Sequence, residues 1–240
     1  MSAEQPKLFT ELAGWWQLLS PTEFSKVAAF FGELFRAGNA TTLLELGSGS
    51  GNVAWLLKKE FTPTLTDISG AMLAESKKRN PELEHIQGDM RTLRLGRTFD
   101  GVLIQDAIMY MTSEEDLRAA LLTAYEHCKP GGVVVVAPDW VAETFRPFTT
   151  HEGGDAGERG IRALEWVWDA DPNDTKVNYE LILALKEGDE LRTVVDRHVV
   201  GVFPRATWLR LLEEVGFEAR GAEDLSTESE RSEVFLGHKP

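Results

Sequence analysis

The chain has 240 residues, 42% of them hydrophobic, enough to bury one core and carry some elaboration. Its formal net charge of −14 gives a surface that repels phosphate backbones and argues against nucleic acid as a partner. Its one cysteine, Cys128, excludes a disulfide framework and reads as a small buried apolar residue; with no membrane-length apolar run and no leader-like stretch at the start, the expectation is a cytoplasmic protein that touches no membrane.

Residues 11–19 and 22–37 are expected to be helical. In the second stretch Phe24, Val27, Phe30, Phe31 and Leu34 recur at helical spacing, and Pro21 with Thr22 marks its start. An apolar run then ends in Glu45 and is followed by Gly47-Ser48-Gly49-Ser50-Gly51 and an amphipathic segment, 52–60. That order reads strand, tight turn, helix. Glycines permit positive φ and close approach of a ligand, and a helix start offers free N–H groups. The spacing Glu-x-Gly-x-Gly-x-Gly departs from the G-x-G-x-x-G fingerprint of dinucleotide sites.

A β-prone run, 61–66, ends in Asp67, about 20 residues past the glycines, where nucleotide-binding α/β folds put a carboxylate on ribose hydroxyls. Asp67 can equally cap the helix that opens at Ser69-Gly70-Ala71-Met72. Residues 84–91 and 99–107 supply two further strands, the second ending in Gln105-Asp106 at the edge where open sheets bind ligands. A helix over 114–127 leads through Pro130-Gly131-Gly132 into the all-valine run 133–136, a composition suited to a strand covered on both faces. Strand and helix alternate to about residue 137, which implies a parallel sheet. After Pro138 the pattern changes. A Gly-rich stretch, 152–160, precedes three β-like runs at 162–168, 176–185 and 191–202. Turn compositions at Asp171-Pro172-Asn173-Asp174 and Glu187-Gly188-Asp189 separate them, so an antiparallel meander is expected. A last helix, 204–215, ends at Gly216, and a last strand spans 232–238.

The order and spacing of these signals over roughly residues 40–140 resemble the class I S-adenosylmethionine (SAM) methyltransferases. The resemblance implies an α/β fold: a Rossmann-like, doubly wound, mostly parallel seven-stranded sheet with an N-terminal helical cap and an inserted antiparallel meander. The chain is then one methyltransferase domain, with a cap (1–40), a SAM-binding core (41–140), an insertion on the substrate side (141–203) and a completing helix and strand (204–240). The last strand would run antiparallel beside 133–137. SAM is the implied cofactor and S-adenosylhomocysteine (SAH) the product. Implied cofactor contacts are Glu45, Gly47, Ser48, Gly49 and Asn52 from the loop, Asp67, Ile68 and Met72 beyond it, and Gln105 and Asp106 at the fourth strand. Asp89 would accept from the adenine amine, Met90 would pack on the ring, and Trp16 would close over the cofactor.

Within that superfamily two segments are similar to enzymes that N-methylate amino sugars on nucleotide carriers: residues 85–91 with Arg94-Leu95-Gly96-Arg97, and Pro138-Asp139-Trp140 with Glu143-Thr144-Phe145. The run 196–203 is similar in layout. Those enzymes usually have Trp-Trp after the proline where this chain has Asp139-Trp140, and the Trp15-Trp16 pair is not their usual opening.

Methyl transfer from a sulfonium needs alignment and exclusion of water, and an amine acceptor need only lose a proton. Asp106, Tyr110 and His198 are the candidate catalytic groups. His198 shares a strand face with Asp196, and a neighbouring carboxylate suits it as a base. Tyr110, Asp139, Trp140, His151, Trp166 and His198 are the candidate substrate contacts. No His/Asp/Glu grouping has metal spacing, so no metal is expected. The expected acceptor is a small polar or amine-bearing metabolite, methylated at N or O. A SAM or nucleoside binder without transfer, or one using SAM for another reaction, is the alternative; an NAD-dependent oxidoreductase fits the glycine spacing poorly. The meander suits a substrate lid or a homodimer interface equally.

Overall fold

A strand that is apolar at every position needs cover on both faces. In the computed structural model, which describes residues 5–19, 24–224 and 233–240, the valine run 133–136 lies inside such a sheet. Five strands are parallel: β1 (Thr42–Leu46), β2 (Thr62–Asp67), β3 (Glu84–Gln87), β4 (Phe99–Gln105) and β5 (Cys128–Ala137). The helices are α1 (Trp16–Leu19), α2 (Ser25–Ala37), α3 (Asn52–Leu57), α4 (Gly70–Arg79) and α5 (Glu114–His127). Then comes a separate antiparallel sheet of β6 (Phe148–Ala156), β7 (Arg159–Trp168), β8 (Lys176–Glu187) and β9 (Glu190–Gly201), paired in chain order. α6 (Arg205–Glu214), β10 (Glu218–Asp224) and β11 (Glu233–His238) return to the first sheet, whose order is β10-β11-β5-β4-β1-β2-β3. β11 is antiparallel to β5, as the resemblance implied.

Two apolar layers enclose that sheet. On one face Phe31 and Phe35 of α2 meet Val53 and Leu57 of α3. On the other, Leu117 and Leu121 of α5 meet Trp208 and Leu211 of α6, with Trp208 stacked on Phe235 at 5.4 Å. Local chemistry sets the helix ends. Ser69 accepts from Met72 N–H at 3.2 Å to start α4, and Ser113 accepts from Asp116 N–H at 3.2 Å to start α5. Gly216, at φ 112°, turns the chain out of α6. Cys128 opens β5 directly after α5 and is buried, with its thiol pushed up to about 11 by burial and so protonated at neutral pH.

Three segments differ from expectation. Residues 11–19 form no single helix; two 3-10 turns, Lys7–Phe9 and Ala13–Trp15, precede the short α1. Gly14 weakens helix in the middle, and Leu8, Leu12, Trp15 and Leu19 pack instead on the meander. The Gly-rich stretch forms the second half of β6, a tight turn at 157–158 and the start of β7, making four strands where three were expected. A Cβ on Gly154 would stand 2.5 Å from the Leu18 carbonyl oxygen, so glycine is there for close approach rather than for a turn. The expected helix start at Pro21-Thr22 and the first residue of the expected last strand, Ser232, lie outside the described residues.

Gly101 in β4 faces Phe35; a Cβ there would come within 2.6 Å of the ring and 2.8 Å of Leu43. Gly101→Ala should destabilise the protein by roughly 1–3 kcal/mol in urea unfolding, since overpacking a filled core forces backbone or rotamer shifts. An unchanged midpoint would show that this layer is loosely packed.

Candidate active site

The carboxyl ends of β1, β2 and β4 open at one edge, and the glycine loop wraps it. Gly47, Gly49 and Gly51 all have positive φ, 76°, 54° and 70°. At Gly47 and Gly51 a Cβ would also collide, at 2.3 Å from Ala107 Cβ and from Ser76 Oγ. Gly49 differs: the nearest atom to its imagined Cβ is Met72 Cε at 3.6 Å, an ordinary contact, so its positive φ rather than crowding calls for glycine. Asp67 fixes the loop. Its two carboxylate oxygens accept from Gly49 N–H and Ser69 N–H, each at 2.8 Å. Burial still raises its pKa, against those backbone hydrogen bonds.

Glu45 ends β1 almost fully buried. Burial first, and the Asp67 charge second, push its carboxyl up to about 8. Its Oε2 and the Ser48 hydroxyl are buried without a hydrogen-bond partner. Each such atom costs on the order of 1–3 kcal/mol unless a ligand satisfies it. Two orphaned polar atoms and two acids beside the glycine loop fit a nucleoside with a cationic amino-acid tail.

An N-terminal strap, residues 7–19, ties this edge to the meander. Gln17 donates to Ser50 Oγ at 2.7 Å and to Asn52 Oδ1 at 3.1 Å, and receives Arg79 at 2.7 Å. Ser69 donates to the Phe9 carbonyl. On the other side Asp196 of β9 accepts from Lys7 N–H at 3.0 Å and Leu8 N–H at 2.7 Å.

The inner face of the meander completes the site. Strand alternation puts Glu165, Tyr179, Asp196 and His198 on that face, with Tyr179 directly opposite His198. Tyr110, in the 3-10 turn Ala107–Tyr110 after β4, meets them: its Oη is 2.6 Å from His198 Nδ1. His198 Nε2 lies 3.1 Å from Asp196 Oδ2, within ion-pair range but poorly aimed for an N–H···O bond. Burial raises the Asp196 pKa, but His198 and the two strap N–H groups outweigh it, and the carboxylate is held below its usual range. Burial, reinforced by Asp139, Asp196, Asp106 and Asp67, keeps the Tyr110 phenol neutral. Phe9 packs edge-on against both Tyr110 and His198, at 5.8 and 5.5 Å. Among the described residues, no three His, Cys, Asp or Glu side chains converge as a metal site.

A methyltransferase-domain family model matches residues 43–132. The chain is 33% identical over 190 residues to the dTDP-3-amino-3,4,6-trideoxy-α-D-glucopyranose N,N-dimethyltransferase of Streptomyces venezuelae, covering 78% of this chain and 77% of that one. This chain belongs to the class I SAM-dependent methyltransferases. Its fold matches the crystal structure of Streptomyces venezuelae DesVI with a TM-score of 0.82 at 26% identity, over 92% of this chain and 94% of that chain. It also matches a SAM-bound amino-pentose methyltransferase from Micromonospora echinaspora with a TM-score of 0.79 at 23% identity, over 91% and 92% of the two chains. SAM is the cofactor of this methyltransferase and SAH its product.

The fold brings Glu45, Gly47, Ser48, Gly49, Asp67, Met72, Gln105 and Asp106 to one edge, with Ile68 45% exposed beside Asp67 and Met90 half-buried near Gly47. Trp16 is half-buried against Phe9, and Asn52 is engaged by Gln17. Asp139 and Trp140 reach the acceptor side, Trp140 edge-on to Tyr179 at 6.4 Å. Two expectations fail. His151 pairs with Leu164 on the outer face of the meander and is exposed. Trp166 is 53% exposed on that same face, its ring tilted against Trp168. Asp89 is paired with Arg91, which contacts both of its oxygens. Conversely Phe9, Gln17, Glu165 and Tyr179 were not anticipated; strand parity with His198 was the available signal for the last two.

The buried Glu45 sets a pH dependence. The unfolded chain releases this proton near 4.5 and the folded protein holds it to about 8. Between those values the folded state binds the extra proton, so its stability falls as pH rises. Without SAM, Glu45→Gln should raise the thermal midpoint by several degrees at pH 8.5 and little at pH 5, at roughly 2–4 °C per kcal/mol for a chain of this size. Equal offsets at both pH values would mean that Glu45 ionises normally in the folded protein.

Proposed function

We propose that this enzyme transfers the methyl group of SAM to the amine of a small polar metabolite, an amino sugar or a molecule of similar size. The observation that carries the reading is the chain Tyr110–His198–Asp196, which faces the same edge as the glycine loop. When bound, SAM supplies an electrophilic methyl on a sulfonium. Asp67 keeps lone pairs for the ribose hydroxyls while it holds the loop. Glu45 Oε2 and Ser48 Oγ receive the polar amino-acid tail, and Glu45 ionises when that tail's ammonium arrives. Ile68, Met72 and Met90 flank the adenine.

On the acceptor side Tyr110 donates its O–H to His198 Nδ1, and the Nε2 proton faces Asp196. The acceptor ammonium passes a proton to Tyr110 Oη as the phenol proton moves to His198. The resulting imidazolium stands beside the Asp196 carboxylate, and Tyr110 never carries a charge. Asp106 and Gln105 border the reacting nitrogen. That the Streptomyces venezuelae relative is an N,N-dimethyltransferase of an amino sugar supports an amine acceptor. Strap, core and meander then act as one catalytic unit in the cytoplasm, on a small-molecule substrate.

The outer face of the meander supports a homodimer. Leu164, Trp166, Ile182, Val195 and Val199 are each 42–53% exposed there, and Leu164, Ile182 and Val195 form one cross-strand row. Light scattering should give twice the 26.7 kDa chain mass, and Ile182→Asp with Val195→Asp should halve it. A wild-type monomer would remove the dimer.

Titration calorimetry should show micromolar binding of SAM and SAH and none of NAD. Asp67→Ala should weaken SAM about 100-fold or more. With an amino-sugar panel, SAH release coupled to a mass gain of one methyl on nitrogen is the expected result. His198→Asn should lower kcat by about 10²–10⁴ and leave the SAM affinity unchanged, the range for a lost acid–base group. Full turnover in that variant would take His198 out of the reaction.

A further inference from the structure

The hydrogen bond from Tyr110 to His198 crosses between two parts of the fold. Tyr110 belongs to the turn after β4 and His198 to β9 of the meander, with 5.9 Å between their ring centroids. Such a contact is only as exact as the packing around both rings. Phe9 of the strap touches both. It lies edge-on to Tyr110, at 5.8 Å and 85°, and to His198, at 5.5 Å and 68°. Tyr179, opposite His198 on β8, backs the imidazole at 5.4 Å. Phe9 is itself held from three directions. The N–H groups of Lys7 and Leu8, just before it, donate to Asp196, two residues from His198 on the same strand. Its carbonyl accepts from the Ser69 hydroxyl, and the Ser69 N–H donates to Asp67. Its ring meets Trp16 at 5.6 Å. Further along, Leu12 and Leu19 are buried against β7 and β8, so the strap is fastened to the sheet that carries His198.

We infer that Phe9 is a positioning residue for methyl transfer: it sets the contact between Tyr110 and His198 and acts through it. This rests on the N-methylation reading above. There the acceptor ammonium passes one proton to Tyr110 Oη as the phenol proton moves to His198 Nδ1. The amine lone pair then forms the N–C bond while the S–C bond breaks and its electron pair returns to sulfur. The products are an N-methylammonium and SAH. The proton moves along a 2.6 Å contact. A displacement of either ring by about 1 Å would take that pair beyond hydrogen-bond length and leave the amine protonated. Phe9 is a hydrocarbon ring and takes no proton, so its part is to hold the two rings in register. Because Asp196 fixes the strap to β9 and Ser69 fixes it to the cofactor edge, Phe9 also ties that register to the place where the methyl group is presented.

The test compares Phe9→Leu, the same change in a His198→Asn background, and Leu12→Val as a packing control in the same strap. Acceptors are the amino-sugar panel, including 3-amino-3,6-dideoxyglucose as its methyl glycoside and as its dTDP ester. Phe9→Leu should lower kcat about 10- to 100-fold, with the acceptor KM and the SAM Kd within about threefold of wild type. Added to His198→Asn it should cost no more than about a further twofold, because the partner it positions is already gone. Leu12→Val should lower the thermal midpoint by roughly 2–4 °C and keep kcat within about twofold. A second readout needs no acceptor. Nitrogen-15 NMR of the SAH-loaded protein, with the His198 signals assigned by their loss in His198→Asn, should show Nε2 protonated and Nδ1 accepting a hydrogen bond. Phe9→Leu should move the Nδ1 signal toward that of a nitrogen without a donor. Wild-type kcat in Phe9→Leu, an equal loss in Leu12→Val, a full further loss in the His198→Asn background, or an unmoved Nδ1 signal would each overturn the positioning role and leave N-methylation standing. A wild-type protein that binds SAM and methylates no amine of the panel would overturn the amine reading and this inference together.

Discussion

The acceptor half of this enzyme is assembled around one carboxylate. Asp196 belongs to β9, yet it accepts from two backbone N–H groups of the strap and stands 3.1 Å from His198. Through His198 it reaches Tyr110, which belongs to the parallel core. Three parts of the chain far apart in sequence meet at this group. A buried carboxylate tolerates desolvation only when hydrogen-bond donors and a cation-forming partner surround it. The strap, the meander and the core must therefore all be in place for Asp196 to stay ionised.

The cofactor half follows the opposite electrostatic logic. Glu45 has no cation beside it, and burial next to Asp67 keeps it protonated to about pH 8. A neutral acid costs less to bury than a charged one, so Glu45 can stay buried without a cation. Asp67 is arranged differently, with backbone N–H groups from both sides of the glycine loop already in place. Its charge is partly compensated before any ligand arrives, and it acts as a fixed post for the loop.

The sequence disclosed the cofactor half far better than the acceptor half, for a physical reason. The glycine loop, Glu45 and Asp67 are governed by short-range rules, namely positive φ, strand ends and helix starts. Such rules are visible in a few consecutive residues. The helix Glu114–His127 carries its own cap at Ser113, and its bounds came out as expected. The acceptor half depends on pairing between distant segments. Tyr110 and His198 are 88 residues apart, and nothing local announces their contact. The Asp196-x-His198 spacing was legible because alternate residues share a strand face. His151 and Trp166 failed on the same rule: without the register of β6 against β7 their face could not be chosen, and both lie outward. β6 itself was hidden because glycines that permit close approach to Leu18 look like loop glycines.

Asp106 marks where the two halves join. It follows β4, its side chain receives Gln105 at 3.2 Å, and its backbone sits at φ 47°, ψ −51°, a region a non-glycine residue enters at a cost of roughly 1–3 kcal/mol. Its N–H is held by the Ala137 carbonyl and its own carbonyl accepts from Met109 N–H, so β5 and the following 3-10 turn over-determine the conformation. A glycine would relieve the strain, and the neighbouring loop uses glycine three times for that purpose. The kink aims the chain from the end of β4 toward Tyr110, so the same strained turn also delivers the phenol to His198.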